Sequence, residues 1–350
     1  ISSGLNVNMN LFNSGRRIFT SQANRFFERG GEYGLDRSAQ MVVYTVAERY
    51  LQVLLDKELL NIAEANLLNQ KEQLRQIRGF VDGGLRTISD LYNQEAEVAR
   101  LETMALNAKI ALQNDVMMLS QTLQLEAGEI PVLQELQIDG LRENWKQNNL
   151  DQLYNIALQN RSDLKELEFN KEGARKQMQS VKAGYFPVIG AFFNYNSFYT
   201  SLDSRAFNEQ FLNIYPTRTV GMNVSIPIFH NFDNKVIVER AKVNQSNQEL
   251  QYHALRRNLY QEINMAVQNF EAAQGRERAT QLQVQAAQEA LKVVSERYAI
   301  GLSNFVDLSL ANQQSVAAQS DNAQARYNLY FQELVMEYVL GTLDVQAIRK

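Results

Sequence analysis

Side chains able to carry covalent or acid–base chemistry are scarce in this chain of 350 residues, which holds 2 histidines, His230 and His253, and no cysteine. Nucleophilic catalysis needs a Ser, Cys or Thr beside a base, and metal chemistry needs several His, Cys or carboxylate ligands at fixed spacing. No Ser/His/Asp set, Walker loop or His-rich metal motif can be assembled from these residues, and no cofactor is expected. His230 follows Phe229 at a strand end and reads as interfacial, while Met117 and Met118 read as packing residues. A helical enzyme working through carboxylates has no positive support. Two aspartates are notable for their position. Asp90 and Asp307 each stand six residues after a glycine, Gly84 and Gly301. An acid there could cap the helix that follows, worth about 1 kcal/mol.

That pairing belongs to a repeat with an offset of 217. Gly84-Leu85-Arg86-Thr87-Ile88-Ser89-Asp90-Leu91 aligns with Gly301-Leu302-Ser303-Asn304-Phe305-Val306-Asp307-Leu308, and Gly4 to Phe12 aligns with Gly221 to Phe229. One offset at two places predicts tandem copies of one plan, 1–160 and 161–350. The first holds a strand at 3–12, a long helix at 17–82, a return helix at 88–127 and an equatorial segment at 128–160. The second holds a helix at 161–184, strands at 188–200 and 218–229, a long helix at 234–299 and a return helix at 305–341. Subtracting the offset from the helix and first strand of the second copy puts their counterparts before Ile1, so the chain is expected to start inside its first repeat. Any signal peptide would likewise precede Ile1, since the first residues have neither a basic nor an apolar leader region.

The helices carry coiled-coil seams. Val46, Val53, Leu60, Leu67, Leu74 and Val81 recur at seven-residue steps, and Leu91, Val98, Ala105, Leu112 and Leu119 continue on the return. In the second copy Ile263, Phe270, Val284, Leu291 and Tyr298 keep the step with a gap at Glu277, and Ala311, Ala318 and Ala325 form a small-residue seam. The 4 prolines, Pro131, Pro187, Pro216 and Pro227, all avoid these segments. An unbroken helix over 17–82 would be about 100 Å long, more than a globular core accommodates. Gly84, Leu85, Gly301 and Leu302 mark tight turns at its far end.

Three segments instead alternate with period two: Val7, Met9 and Leu11 against asparagines, Phe193 and Tyr195 against asparagines, and Val220, Met222, Val224 and Ile226 against Gly221, Asn223 and Ser225. Such strands fit a soluble sheet over a core. They also fit lipid, because no charged residue occurs from Ile1 to Gly15, Phe186 to Leu202 or Thr219 to Phe232. Phe12, Tyr185, Phe186, Phe198, Tyr199, Tyr215 and Phe229 lie at the segment ends, as interfacial aromatics would. No run of about 18 apolar residues occurs, and the mean hydropathy is -0.35. A bilayer would therefore be crossed by strands, and so few must be closed by other chains. A net charge of -4 without a basic run leaves nucleic acid an unexpected partner. A soluble coiled-coil scaffold explains the heptads but not the charge-free strands.

The chain resembles the TolC family of outer-membrane efflux and secretion proteins along its whole length. The resemblance lies in Asn160-Arg161-Ser162-Asp163-Leu164, Ala183-Gly184-Tyr185-Phe186-Pro187, Ser225-Ile226-Pro227-Ile228-Phe229, Arg297-Tyr298-Ala299-Ile300-Gly301, Val306-Asp307-Leu308, Ala325-Arg326-Tyr327-Asn328 and Leu340-Gly341-Thr342-Leu343. It implies a mainly α protein with membrane β: a homotrimer whose strands form a twelve-stranded barrel in the bacterial outer membrane, continued by helical hairpins as a tube across the periplasm. It further implies a passive duct opened by a periplasmic adaptor and an inner-membrane transporter. By the resemblance Tyr298 matches a gate tyrosine, Asp307 a constriction aspartate and Arg326 an arginine of the return helix. Ser89 and Asp90 match a hydroxyl and an acid reaching toward that tyrosine. Leu310 stands where a second constriction aspartate is found in the family and Ser303 where a linking arginine is found, which implies a single acidic ring and a different ionic lock.

Overall fold

The computed structural model describes residues 1–126, 128–133, 145 and 147–343. In chain order they form β1 (Ser2–Phe12), α1 (Arg16–Asp82), α2 (Ile88–Thr122), α3 (Leu150–Asn160), α4 (Ser162–Lys182), β2 (Val188–Phe198), β3 (Thr217–Ser225), α5 (Asp233–Ala299) and α6 (Phe305–Leu340), with one short 3-10 turn and one π turn besides. Adding 217 to the bounds of α1 gives those of α5, each helix having 67 residues. The same shift carries the start of α2 onto that of α6. Two compact units cut across this repeat, one of Ile1–Asp36 with Ser162–Arg257, the other of Arg37–Arg161 with Asn258–Lys350. No helix among the described residues is long and apolar enough to cross a membrane.

The first unit holds an antiparallel sheet in the order β1-β2-β3. Its register puts Leu5, Tyr195 and Arg218 in one row, then Val7, Phe193 and Val220, then Met9, Ala191 and Met222, then Ile189 and Val224. All these side chains share one face because successive residues point to opposite sides. The other face carries Asn6, Asn194 and Thr219, Asn8, Phe192 and Gly221, and Asn10, Gly190 and Asn223. The alternation thus assembles an apolar face and an amide-rich face. Leu11 departs from it: a bulge between Asn10 and Phe12 leaves Leu11 as the extra residue and brings Phe12 opposite Ile189. β3 ends at Ser225, not near 229, so Ile226 lies just outside the strand. Pro227, two residues on, has no N–H for a ladder. β2 likewise ends at Phe198, not 200.

α4 lies between α1 and α5. Thr20 and Ser180 share a hydrogen bond of 2.7 Å, Tyr33 stacks on Phe169 at 5.5 Å, and Asn234 donates to the Gly184 carbonyl at 2.9 Å. The loop beyond β2 is pinned by fully buried Gln210, whose amide donates to the Asp203 and Arg205 carbonyls at 3.1 and 2.6 Å.

In the second unit Leu259, Ile263 and Phe270 of α5 pack with Leu329 and Met336 of α6 and with Leu153 and Ala157 of α3. Each of the larger of these side chains contributes roughly 1.5–3 kcal/mol by leaving water. α3 falls inside the expected equatorial segment, of which 134–144 and 146 lie outside the described residues. It starts at a reciprocal cap in which Asn149 and Gln152 exchange two 2.8 Å hydrogen bonds. α4 then begins at Ser162, because Arg161 is extended (φ -61°, ψ 114°). The Arg161 guanidinium is buried against Glu262 at 3.0 Å and the Val339 carbonyl at 3.2 Å.

The return helix expected over 88–127 stops at Thr122. Gln124 takes a left-handed conformation (φ 55°), with Leu125 N–H bonded to the Ser120 carbonyl. Its counterpart is Gly341 (φ 72°), where Thr342 N–H reaches the Glu337 carbonyl in the same pattern. A side chain at such a φ is strained and glycine is not. Gln124→Gly is expected to raise the unfolding free energy of the helical unit by about 0.5–1 kcal/mol, read by denaturant titration.

Candidate functional site

Two turns with one backbone design close the second unit's helical hairpins. At the first, Gly84 (φ 71°) lets Leu85 N–H bond the Phe80 carbonyl at 2.8 Å; at the second, Gly301 (φ 80°) lets Leu302 N–H bond the Arg297 carbonyl at 2.8 Å. Only glycine takes this conformation without cost. The following helices are capped by Thr87 and Asn304, whose side chains accept from the backbone N–H of Asp90 at 3.3 Å and of Asp307 at 2.9 Å. The two aspartates are therefore not the caps. They sit in the first turns of α2 and α6, where a negative charge favours the helix dipole.

Behind the turns Ile77, Tyr298 and Leu308 are buried together, with Val81, Leu91, Leu291, Val294 and Phe305 around them. The four long helices thus meet at one apolar plug. Arg86 lies over the Tyr298 ring at 4.2 Å and donates to the Tyr298 carbonyl. The sequence reading did not single out Arg86. The signal was the repeat itself, since 86 plus 217 is 303, so that the first turn carries a basic residue where the second carries Ser303. Arg86 of the first turn thus joins that turn to the end of α5.

The Tyr298 hydroxyl is buried and has no hydrogen-bond partner among the described residues. Burial pushes its pKa up, Arg86 opposes this and Asp90 adds to it. Asp90 thus acts on Tyr298 through its field, without a hydrogen bond. Ser89 is exposed. Asp307 is exposed too, its carboxylate accepting from Ser303 Oγ at 3.1 Å. Leu310, one turn on, is half exposed at 54%. At the outermost points Leu85 and Leu302 stand exposed, at 74% and 67%. Arg326 is not part of this cluster. It lies 19 residues after Asp307, roughly 28 Å along the helix, and pairs with Glu58 at 3.4 Å.

Buried amides join helices further along, the first pair within one hairpin and the second between hairpins. Gln94 donates to the Gln70 side chain at 2.9 Å and Asn312 to Asn66 at 3.1 Å, which fixes helix register as isolated polar pairs do in coiled coils.

A family model described as outer membrane efflux protein matches residues 153–342. The outer membrane protein TolC of Escherichia coli is 23% identical over 354 residues, spanning 99% of this chain and 70% of that protein. The proteases secretion protein PrtF of Dickeya chrysanthemi is 23% identical over 316 residues, spanning 89% and 66%. Among solved structures, the fold is similar to that of CusC, studied for folding and transmembrane channel formation, with a TM-score of 0.83 at 20% identity, covering 97% of this chain and 77% of that one.

Proposed function

Because the chain belongs to the outer membrane efflux protein family, we propose that it is a passive duct whose opening is set at the paired glycine turns. It is an outer-membrane protein reaching into the periplasm, the exit channel of an efflux or secretion system, and it works as a homotrimer with a periplasmic adaptor and an inner-membrane transporter. We read the chain as two tandem copies of a strand-and-hairpin unit, and we assign it no catalysis.

The observation that carries the reading is the sheet. One face is apolar and free of charge except for Arg218 at its rim, the other is lined with amides, and both edge strands are open. Unpaired backbone in lipid costs several kcal/mol per group, so further strands from identical chains close the ring with the apolar face outward. Arg218 lies over the Tyr195 ring at 5.7 Å, near the loop end of β2 and β3, where a long basic side chain reaches the headgroups.

At the turns Asp307 lines the lumen. Around a threefold axis it gives three carboxylates at close range, whose field concentrates cations. Tyr298, held beneath Arg86, sets the separation of the hairpins, with Asp90 and Ser89 flanking it. The exposed Leu85 and Leu302 offer the adaptor an apolar tip. Arg326 supports the hairpins through Glu58. In a planar bilayer Asp307→Asn is expected to weaken cation selectivity and block by divalent cations. Selectivity equal to that of the wild type would remove Asp307 from the lumen.

A further inference from the structure

The helix ends next to the strands carry a charge pattern that folding alone does not favour. α1 opens with Arg16 and Arg17 and has no acid in its first turn. Positive charge there opposes the helix dipole. The equivalent positions of α5 hold Asp233 and Asn234, which suit it. A local rule broken in one copy and kept in the other points to a function for the broken one.

These arginines have basic neighbours at the same level. Ser180 Oγ in the last turns of α4 donates to the Arg16 carbonyl at 3.3 Å, and Asn234 in the first turn of α5 donates to Gly184, just past α4, at 2.9 Å. These contacts put Lys182 on α4 level with Arg16 and Arg17 of α1 and with Lys235 of α5, its field and that of Lys235 both reaching Glu239, and all four basic residues are exposed. Asp233 is the acid at that level. Glu239 follows about two turns along α5, salt-bridged to Lys242 at 2.6 Å, and that pair together with the fields of Lys235 and Lys182 lowers its pKa. In chain order the exposed rings of Tyr185, Phe186, Phe229 and Phe232 fall between these charges and the strands, and exposed Phe12 ends β1 on the same side.

Aromatics followed by basic side chains are the order of groups that a membrane–water boundary selects. We propose that Arg16, Arg17, Lys182 and Lys235 form a basic collar that binds the phosphates of anionic phospholipids in the leaflet next to the helices. The inference rests on the barrel reading above. Threefold repetition multiplies the collar, and each basic residue near such a surface strengthens attraction by about fivefold.

The test is the trimer in nanodiscs of phosphatidylcholine with or without phosphatidylglycerol, followed by thermal trimer dissociation and by retained lipid in native mass spectrometry. Phosphatidylglycerol should raise the dissociation midpoint of the wild type and stay bound, and added salt should weaken both effects. Arg16→Gln, Arg17→Gln, Lys182→Gln and Lys235→Gln combined should abolish them. A full shift in that variant, or no phosphatidylglycerol effect on the wild type, overturns the proposal. Should the combined variant not insert, Asp233→Asn takes its place: it should enlarge the shift, and an unchanged shift is a refutation. Failure of the barrel reading would show separately, as wild-type protein left outside the discs in either lipid.

Discussion

Arginine in place of Val220 is expected to cost about 2–4 kcal/mol per chain near the bilayer midplane. Val220 lies in a row with Val7 and Phe193, which are the middle residues of β1 and β2. A guanidinium there would have to be pulled into hydrocarbon or bend a long way to water. The neighbouring residue provides the contrast. Thr219 shares its row with Asn6 and Asn194 on the amide-rich face, so Thr219→Arg should change stability little. Urea titration of refolding into lipid vesicles reads both. Equal costs for the two substitutions would mean that the faces are not divided between lipid and lumen.

A second large effect is expected at Asp56, on α1 in the helical unit. Its carboxyl is buried at 7% exposure, accepts from Gln52 Nε2 at 3.1 Å and faces Asp115 of α2. Burial, reinforced by Asp115 and opposed by Gln52, pushes its pKa up from 3.8 to about 7. Because the folded form holds this proton more tightly than the unfolded chain, its stabilisation is complete below the unfolded value. It is lost as pH rises from about 4 toward 7, by at most about 1.4 kcal/mol per pH unit. Asp56→Asn should flatten that dependence and raise stability at pH 8 by roughly 2 kcal/mol, since it removes a buried charge. The repeat offers a precedent: the positions 217 further on are Ala273 and Gln332, both uncharged. Denaturant midpoints measured across this range decide the matter, and an unaltered pH profile in Asp56→Asn would show that another group is responsible.

The long helices were legible because 67 residues without proline, bounded by glycine turns at a constant offset, leave little choice of element. The strand faces were legible because alternation with period two maps directly onto pleat geometry. What escaped depended on tertiary context or on weak local signals. Gln124 ends α2 in a conformation that its type does not announce, and only its alignment with Gly341 discloses it. Phe232 at φ 64° fills the same role at the head of α5 that Gly15 at φ 80° fills before α1. The bulge at Leu11 is a pairing irregularity, invisible without the partner strand. At the candidate gate the turns, Tyr298 and Asp307 came from the sequence and the family resemblance together. Arg86 was visible as the repeat counterpart of Ser303, but its seat over the Tyr298 ring required knowing which helices meet, and Arg326, named by the resemblance, pairs with Glu58 far along the helix from Asp307. The caps fell to Thr87 and Asn304 because the residue before the first helical one, not the acid three later, has the extended backbone a cap needs.

Strands of identical chains are expected to close one ring in lipid around a shared lumen. Electron cryomicroscopy of the full protein extracted in detergent tests this most directly. The expected result is a threefold particle with a micelle around the sheet and an open lumen on the axis, narrowing at Asp307. A single chain free of detergent, or a particle solid along its axis, would contradict it.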